Sequence, residues 1–261
     1  MNILFIGDIV GKPGRKAVKE VLPRFIKENE IFFTVANAEN AAGGRGLNRE
    51  VLEELLNMEI DVLTMGNHVW DNKDILNFID DEKRLIRPLN YPPHCPGQGY
   101  QIFTAGIDQK IAVLNAMGRV FMSPLDCPFR AIEEALEEIK GKADIILVDF
   151  HAEATSEKLA LAHYFDSRVT AVLGTHTHIQ TSDERLLPGG TAYITDVGMT
   201  GPLDSILGME KEMVIQKILY QRPVRLEVAK GPLQFEAVVL CLNDNSGKVT
   251  GMKRVSQHLS Y

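Results

Sequence analysis

Five residues or short clusters in the chain could bind metal: Asp8, the string Asn37-Ala38-Glu39-Asn40, Asn67, His151 and the pair His176-x-His178. Each follows directly on a short apolar run, and the carboxyl ends of strands are where ligand sites assemble in open α/β sheets. Singly, each has an ordinary reading. Asp8 can be a turn residue or helix N-cap, Glu39-Asn40 a solvated loop and His151 a structural histidine. Together they offer carboxylate, amide and imidazole at one edge, the donor set of a metal centre. His176 and His178 lie two apart at a predicted strand end, which faces both rings the same way; on a helix they would diverge by about 200°.

The donors are nitrogen and oxygen only, because no cysteine lies in any of these motifs. That suits Fe, Mn, Zn or Co rather than Cu(I) or an iron–sulfur cluster. Six or more candidate ligands exceed the need of one tetrahedral zinc, so two ions are the simpler reading, with Glu39 the natural bridge. Two divalent ions set against Asp8, Glu39 and a bridging hydroxide leave a residual charge of about +1. Such a centre attracts a phosphate ester and can activate water for in-line attack on it.

The glycines suggest weaker alternatives. Gly7, Gly11 and Gly14 follow a strand, but their spacing is not that of a dinucleotide fingerprint, and Gly11-Lys12-Pro13 lacks the hydroxyl residue of a P-loop. Gly43-Gly44-Arg45-Gly46 reads as a flexible loop by the site, with Arg45 either a phosphate contact or a solvated side chain.

The elements that must position these residues alternate. Apolar runs at 3–6, 31–36, 62–65, 111–114, 145–148, 169–173 and 192–194 are short and rich in β-branched residues, which favours buried strands. Amphipathic helical patterns occupy 15–27, 49–58, 130–140 and 157–165, with Asn48 an N-cap for the second and Pro23 expected to kink or end the first. This alternation predicts an α/β fold. Towards the C-terminus, 225–229, 235–242 and 248–255 read as consecutive strands with a turn at 243–247. We read a single domain over 1–261, with a small cap or interface lobe at about 198–223, rich in Met, Gly and Pro.

The chain has 261 residues, 45% of them hydrophobic and 24% charged, so a disordered chain is excluded and a substantial core is expected. Its formal charge of −7 has the wrong sign for coating nucleic acid, and no stable nucleic-acid complex is expected. Three widely spaced cysteines argue against a disulfide framework and for a reducing compartment. No apolar run reaches the ~18 residues of a membrane span, and MNILFIGD lacks the basic start of a signal peptide. A cytoplasmic protein is expected.

The order and spacing of the motifs resemble the calcineurin-like metallophosphoesterase superfamily. The strings GDIVGKPGR, NAENAAGGRG, GNHVWD, DFHAEATSEK and GTHTHIQTSDE are similar to its bacterial YmdB-like branch, strongly so over about residues 1–205. Val10 stands where the superfamily opening has His, and Asn37-Ala38-Glu39-Asn40 replaces its G-D-x-x-D block. The resemblance implies a two-sheet β-sandwich flanked by helices. It implies one metal held by Asp8, Glu39, Asn40 and His178 and another by Glu39, Asn67, His151 and His176. It makes His68 the general acid, the alternative being a histidine behind the ligands that only binds phosphate, and leaves Asp71 either to orient His68 or to cap a helix. Hydrolysis of 2′,3′-cyclic nucleotides to 3′-phosphates is implied, with iron the expected metal, manganese or zinc its alternatives, and a homodimer or higher homo-oligomer the expected assembly. A phosphomonoesterase with the same metals, or a non-catalytic nucleotide- or RNA-sensing regulator, are the competing readings.

Overall fold

In the computed structural model, which describes every residue except 107, 245 and 261, the chain alternates strands and helices for most of its length. In chain order these are β1 (Asn2–Ile6), β2 (Asp8–Ile9), α1 (Gly11–Glu28), β3 (Ile31–Asn37), α2 (Arg49–Leu56), β4 (Val62–Thr64), β5 (Leu85–Ile86), β6 (Tyr100–Ala105) and β7 (Gln109–Met117). There follow α3 (Pro128–Ile139), β8 (Ile145–His151), α4 (Thr155–Tyr164), β9 (Ala171–Thr175), β10 (Arg185–Leu186), β11 (Ala192–Ile194) and β12 (Met199–Pro202). The last elements are α5 (Lys211–Tyr220), β13 (Leu233–Leu242) and β14 (Val249–Leu259).

Two sheets form. One runs β2-β12-β13-β1-β3-β4-β5, with β14 also paired to β13; the other runs β10-β11-β9-β8-β7-β6. Strands β1, β3, β4 and β5 are parallel to one another, as are β7, β8, β9 and β11. Successive side chains on a strand face opposite ways, and both sheets use both faces. Ile3 and Phe5 of β1, Val35 of β3, Ile111 and Val113 of β7 and Leu147 of β8 fill the layer between the sheets. Leu4 and Ile6 instead pack outward with α1 and α2, while Val148 and Phe150 pack outward with α3 and α4. The result is a two-sheet sandwich flanked by helices, as the resemblance implies. Parallel strands run their carboxyl ends to one edge, so both sheets deliver their strand-end loops there.

Local details depart from expectation in three places. Helix α1 begins at Gly11 and continues through Pro23 to Glu28. Pro23 is exposed, so the carbonyl it leaves unpaired faces water, while Val21, Leu22 and Phe25 hold the buried face. Residues 225–229 form no strand: only Val228 bridges, to Met209, because this segment returns from an excursion instead of joining a sheet. Residues 199–202 pair in the first sheet as β12, and the chain leaves the sandwich after them. Asn48 caps α2 as expected, its side chain accepting from the Val51 amide at 2.9 Å. The turn at 243–247 contains residue 245, which lies outside the described residues. Among the described residues no helix is long and apolar enough to cross a membrane.

Candidate metal centre

Asp8 opens β2, Glu39 and Asn40 follow β3, Asn67 follows β4, His151 ends β8, and His176 and His178 follow β9. Close approach needs glycine at two of these junctions. A Cβ on Gly7 would lie 2.2 Å from the Gly198 carbonyl oxygen, and one on Gly66 would lie 2.4 Å from Glu39 Oε2 and 2.4 Å from His151 Cδ2.

The side chains gather into two groups that share Glu39. In the first, His151 Nε2 lies 3.1 Å from Glu39 Oε1, 3.0 Å from Asn67 Oδ1 and 3.0 Å from His176 Nδ1. In the second, Asn40 Nδ2 lies 3.2 Å from the same Glu39 oxygen, 3.4 Å from Asp8 Oδ1 and 3.2 Å from His178 Nε2. His178 Nε2 is itself 3.6 Å from Asp8 Oδ1. All seven sequence-predicted ligands therefore converge. His68 stands at the rim: its backbone amide donates to Glu39 Oε2 at 2.9 Å, and its Nδ1 lies 2.8 Å from Asp71 Oδ2. Asp71 thus faces the His68 ring, and the cap of the following 3-10 turn is Asn72 instead.

The histidine pair reaches the site by a different backbone from the one expected. The strand stops at Thr175, and His176 and His178 have φ of 103° and 63°, left-handed values that cost non-glycine residues roughly 1–3 kcal/mol each. Strand alternation does not aim these rings; a strained turn does. Two buried groups hold that turn in place. Lys158 Nζ donates to the Thr175 carbonyl at 2.8 Å and to Asp196 Oδ2 at 2.9 Å. The same carboxylate accepts from the Thr177 amide at 3.0 Å and hydroxyl at 2.8 Å.

Each imidazole has its outward nitrogen occupied. Thr175 Oγ1 donates to Asp149 Oδ1 at 2.7 Å and so accepts from His151 Nδ1, 2.9 Å away. His176 Nε2 faces Glu153 Oε2 at 3.2 Å, and His178 Nδ1 donates to the Leu207 carbonyl at 3.2 Å. These partners accept, so each outward nitrogen carries a proton, and a ring that holds no second proton turns its lone pair inward, as a metal-binding histidine must. Asp149 is itself clasped by Asn37 Nδ2 at 3.1 Å and Thr64 Oγ1 at 2.5 Å.

Asp8 and Glu39 are buried, and among the described residues no lysine or arginine reaches either carboxylate. Burial alone would raise the Asp8 carboxyl, but hydrogen bonding and charge from His178, with the His151 charge, hold it well below the usual range. Burial likewise works against Glu39, but the charge and hydrogen bond of His151, with the charge of His68, together outweigh it, so this carboxyl too is lowered. The reciprocal effect appears at His151: burial disfavours its cation, yet Glu39 and Asp8 push it up to about 9. His176, desolvated and beside His151, is pushed down to about 4. Without an ion, a protonated His151 is the cation that compensates the buried carboxylates. A metal would take over that charge and displace the proton. Donor atoms of Glu39, His151 and His176 lie within 4.8 Å of one another, so these residues fit a metal.

Sequence reasoning missed Thr175, Asp149, Asn37, Thr64, Lys158, Asp196 and Glu153 as supports. Their only sequence signal is polarity inside apolar surroundings, most plainly Lys158 and Asp149, which are wholly buried. Arg45 is exposed, and its side chain meets no partner among the described residues.

A model of the YmdB-like protein family matches residues 4–255. The chain belongs to that family. It is 49% identical over 255 residues to the 2′,3′-cyclic-nucleotide 2′-phosphodiesterase of Bacillus subtilis, covering 98% of this chain and 96% of that one. The crystal structure of a hypothetical protein from Thermus thermophilus superposes with a TM-score of 0.93 at 43% identity, covering 99% of this chain and 100% of that one. The crystal structure of a protein named as a novel phosphatase from Mycoplasma pneumoniae gives 0.94 at 35% identity, covering 100% of this chain and 94% of that one. The YmdB-like fold is a branch of the metallophosphoesterase superfamily.

Proposed function

We propose that the chain is a phosphodiesterase that opens 2′,3′-cyclic nucleotides at a centre of two metal ions. The observation that carries this reading is the placement of Glu39 Oε1 between the two donor groups, 3.1 Å from His151 Nε2 and 3.2 Å from Asn40 Nδ2. One ion would be held by Glu39, Asn67, His151 and His176, the other by Asp8, Glu39, Asn40 and His178, the Asn40 amide turning its oxygen inward. Iron is the metal we favour, with manganese or zinc as alternatives. When bound, the ions supply Lewis acidity to the phosphoryl oxygens and activate a water for in-line attack.

The chain's own residues do the rest. His68, oriented through Nδ1 by Asp71, presents Nε2 to the leaving 2′-oxygen and gives it a proton as a general acid. The Asp71 carboxylate compensates the imidazolium until that transfer. The Glu39 carboxylate fixes the backbone of His68 and so ties the acid to the metal cluster. The B. subtilis relative's name supports a cyclic diester as substrate. A monoesterase on the same centre is a second reading, favoured only by the phosphatase name of the M. pneumoniae relative.

We also propose self-association through the excursion at 203–231. Helix α5 has no buried residue, and Ile215, Ile218 and Leu219, spaced i, i+3 and i+4 on one face, are exposed by 46%, 62% and 67%, an apolar face suited to a second copy. The free cysteines suit a reducing, cytoplasmic setting.

The test strips the protein of metal and restores Mn²⁺ or Fe²⁺ separately. Hydrolysis of 2′,3′-cyclic AMP is then compared with that of p-nitrophenyl phosphate. Metal-dependent opening of the cyclic diester with little monoester cleavage is expected, and His68→Ala should remove most of it. Absence of turnover on both substrates, with two ions bound, would overturn the catalytic reading in favour of a binding or sensing role.

A further inference from the structure

The loop that carries Asn40 also borders a cavity of about 570 Å³, within the size range of small-molecule sites. Its lining combines Lys12, Arg225, Lys230 and Lys16, the last paired with Glu20 at 3.8 Å, with the apolar Leu226 and Val228. Glu227 is the one acidic residue in its lining. Lys12 belongs to the first turn of α1, which contains no acidic residue and has no side-chain cap, so the positive end of the helix dipole adds to the basic charge. A locally basic cavity on a chain of net charge −7 is a concentrated feature, not a reflection of composition.

The cavity and the donor cluster share a wall. The amides of Gly11 and Gly44 both donate to the Asn40 carbonyl, at 2.9 and 3.1 Å. Val228 closes over the same two glycines, its Cγ2 methyl 3.1 and 2.9 Å from where their Cβ atoms would be. Gly43, which lines the cavity, lies three residues from Asn40 and so within about 11 Å of it along the chain. A side chain on Gly43 would meet nothing within 4 Å, so the loop faces open space on this side.

The chemistry of the substrate suggests the occupant. A 2′,3′-cyclic phosphate ties up both lower hydroxyls of its ribose, leaving the 5′-oxygen as the sugar position from which a chain can continue. The next group along that chain is an anionic phosphodiester followed by another base. Basic and apolar side chains lining one cavity, one loop away from the donor cluster, match that pair of groups.

We infer that this cavity binds the nucleotide on the 5′ side of a 2′,3′-cyclic end, and that the substrates include short oligoribonucleotides bearing such ends. This rests on the phosphodiesterase reading above. The reaction class that supplies such substrates is internal transesterification of RNA. The 2′-oxygen forms a bond to the adjacent phosphorus, the bond from phosphorus to the next 5′-oxygen breaks, and the proton of the 2′-hydroxyl ends on that leaving oxygen. Hydrolysis of the cyclic ester then adds one water and leaves a 3′-phosphate end.

The experiment compares kcat/KM for 2′,3′-cyclic AMP with that for di- and tetraribonucleotides carrying the same cyclic end. It uses the full-length Mn²⁺-loaded protein and its Arg225→Gln/Lys230→Gln variant, at several salt concentrations. The oligonucleotides should be preferred by about tenfold at low salt, and the double variant should lose that preference. Its log–log salt slope for the oligonucleotides should be shallower by about 1, with mononucleotide turnover unchanged. Equal rates for mononucleotide and oligonucleotides in the unaltered protein would overturn the inference while leaving the catalytic reading intact. So would an equal loss on both substrates in the double variant. Inhibition by free AMP that the double variant abolishes, without any length preference, would assign the cavity to a free nucleotide instead. A double variant that no longer self-associates in sedimentation would assign it to a second copy of the chain. If no cyclic ester is turned over with any metal, the catalytic reading fails. Fluorescence anisotropy of a labelled tetranucleotide then decides the cavity alone: about tenfold weaker binding by the double variant sustains it, and equal binding overturns it.

Discussion

His151 is held from inside the sandwich, whereas His178 is held from a segment that has left it. Behind His151 stands a buried chain of hydroxyl, carboxylate and amide groups, Thr175, Asp149, Thr64 and Asn37, drawn from both sheets. Behind His178 stands a single carbonyl, that of Leu207, on an excursion whose side chain there is 44% exposed. The two halves of the centre share Glu39 but not their rigidity. Buried networks with every member paired fix a geometry; a lone contact from an exposed turn leaves it adjustable. The His151 half should therefore be the tighter metal site, and the His178 half the one tuned by whatever contacts the excursion.

The largest effect should come from the group the halves have in common. Glu39→Gln keeps the shape but removes the shared charge, and turnover of the cyclic diester should fall by at least about a thousandfold, with both metals weakened. Loss of one metal only, by elemental analysis, would contradict a shared ligand. Next is the support common to both histidines after β9. Lys158→Met strands Asp196 as an uncompensated buried charge and should destabilise the protein by about 3–5 kcal/mol, read from urea unfolding. A Lys158→Met/Asp196→Leu variant should recover part of that loss.

Two smaller changes separate the halves. Thr175→Val breaks the relay between His151 and Asp149 and should weaken the tighter metal by about 10–100-fold, leaving the other nearly unchanged. Gly208→Ala does the opposite. Its Cβ would fall 2.7 Å from a Val10 methyl, at a φ of +89°, displacing Leu207 and weakening the His178 half by about tenfold. Equal effects of both changes on both ions, in a competitive chelator titration, would erase the distinction.

The smallest effect concerns pH and the floor beneath Asp8. Glu236 accepts from the Met199 amide at 2.9 Å, its carbonyl accepts from the Gly7 amide at 3.0 Å, and burial pushes its carboxyl up to about 7. The folded form thus takes up this proton more readily than the unfolded chain. The contribution is fully present below about pH 4.5 and is lost as pH rises through 7. Glu236→Gln should melt higher than the parent protein above pH 7 and alongside it near pH 4.5. A constant difference across that range would contradict the assignment.

Much of the donor cluster is legible in the sequence because the residues we propose as ligands sit at or just after strand ends, where an apolar run gives way to a metal-competent residue. Asp8, Glu39, Asn67 and His151 all follow that rule. The supports are not legible, because they pair residues distant in sequence: Asn37 meets Asp149 only because two sheets bring their carboxyl edges together. The turn at His176–His178 reads as strand alternation for a related reason. Its left-handed backbone is imposed by Lys158 and Asp196, which local sequence does not connect. Pro23 misleads because helix propensity ignores which face is solvated. The segment 225–229 misleads because its apolar alternation lines a cavity instead of pairing in a sheet.

The most direct test is calorimetric titration of the metal-stripped protein with Mn²⁺, with hydrolysis of 2′,3′-cyclic AMP followed at each step. Two unequal sites are expected, with turnover rising only as the weaker one fills and His178→Ala abolishing that weaker site. A single site, or full turnover at one equivalent of metal, would contradict a centre built from two halves on a shared Glu39.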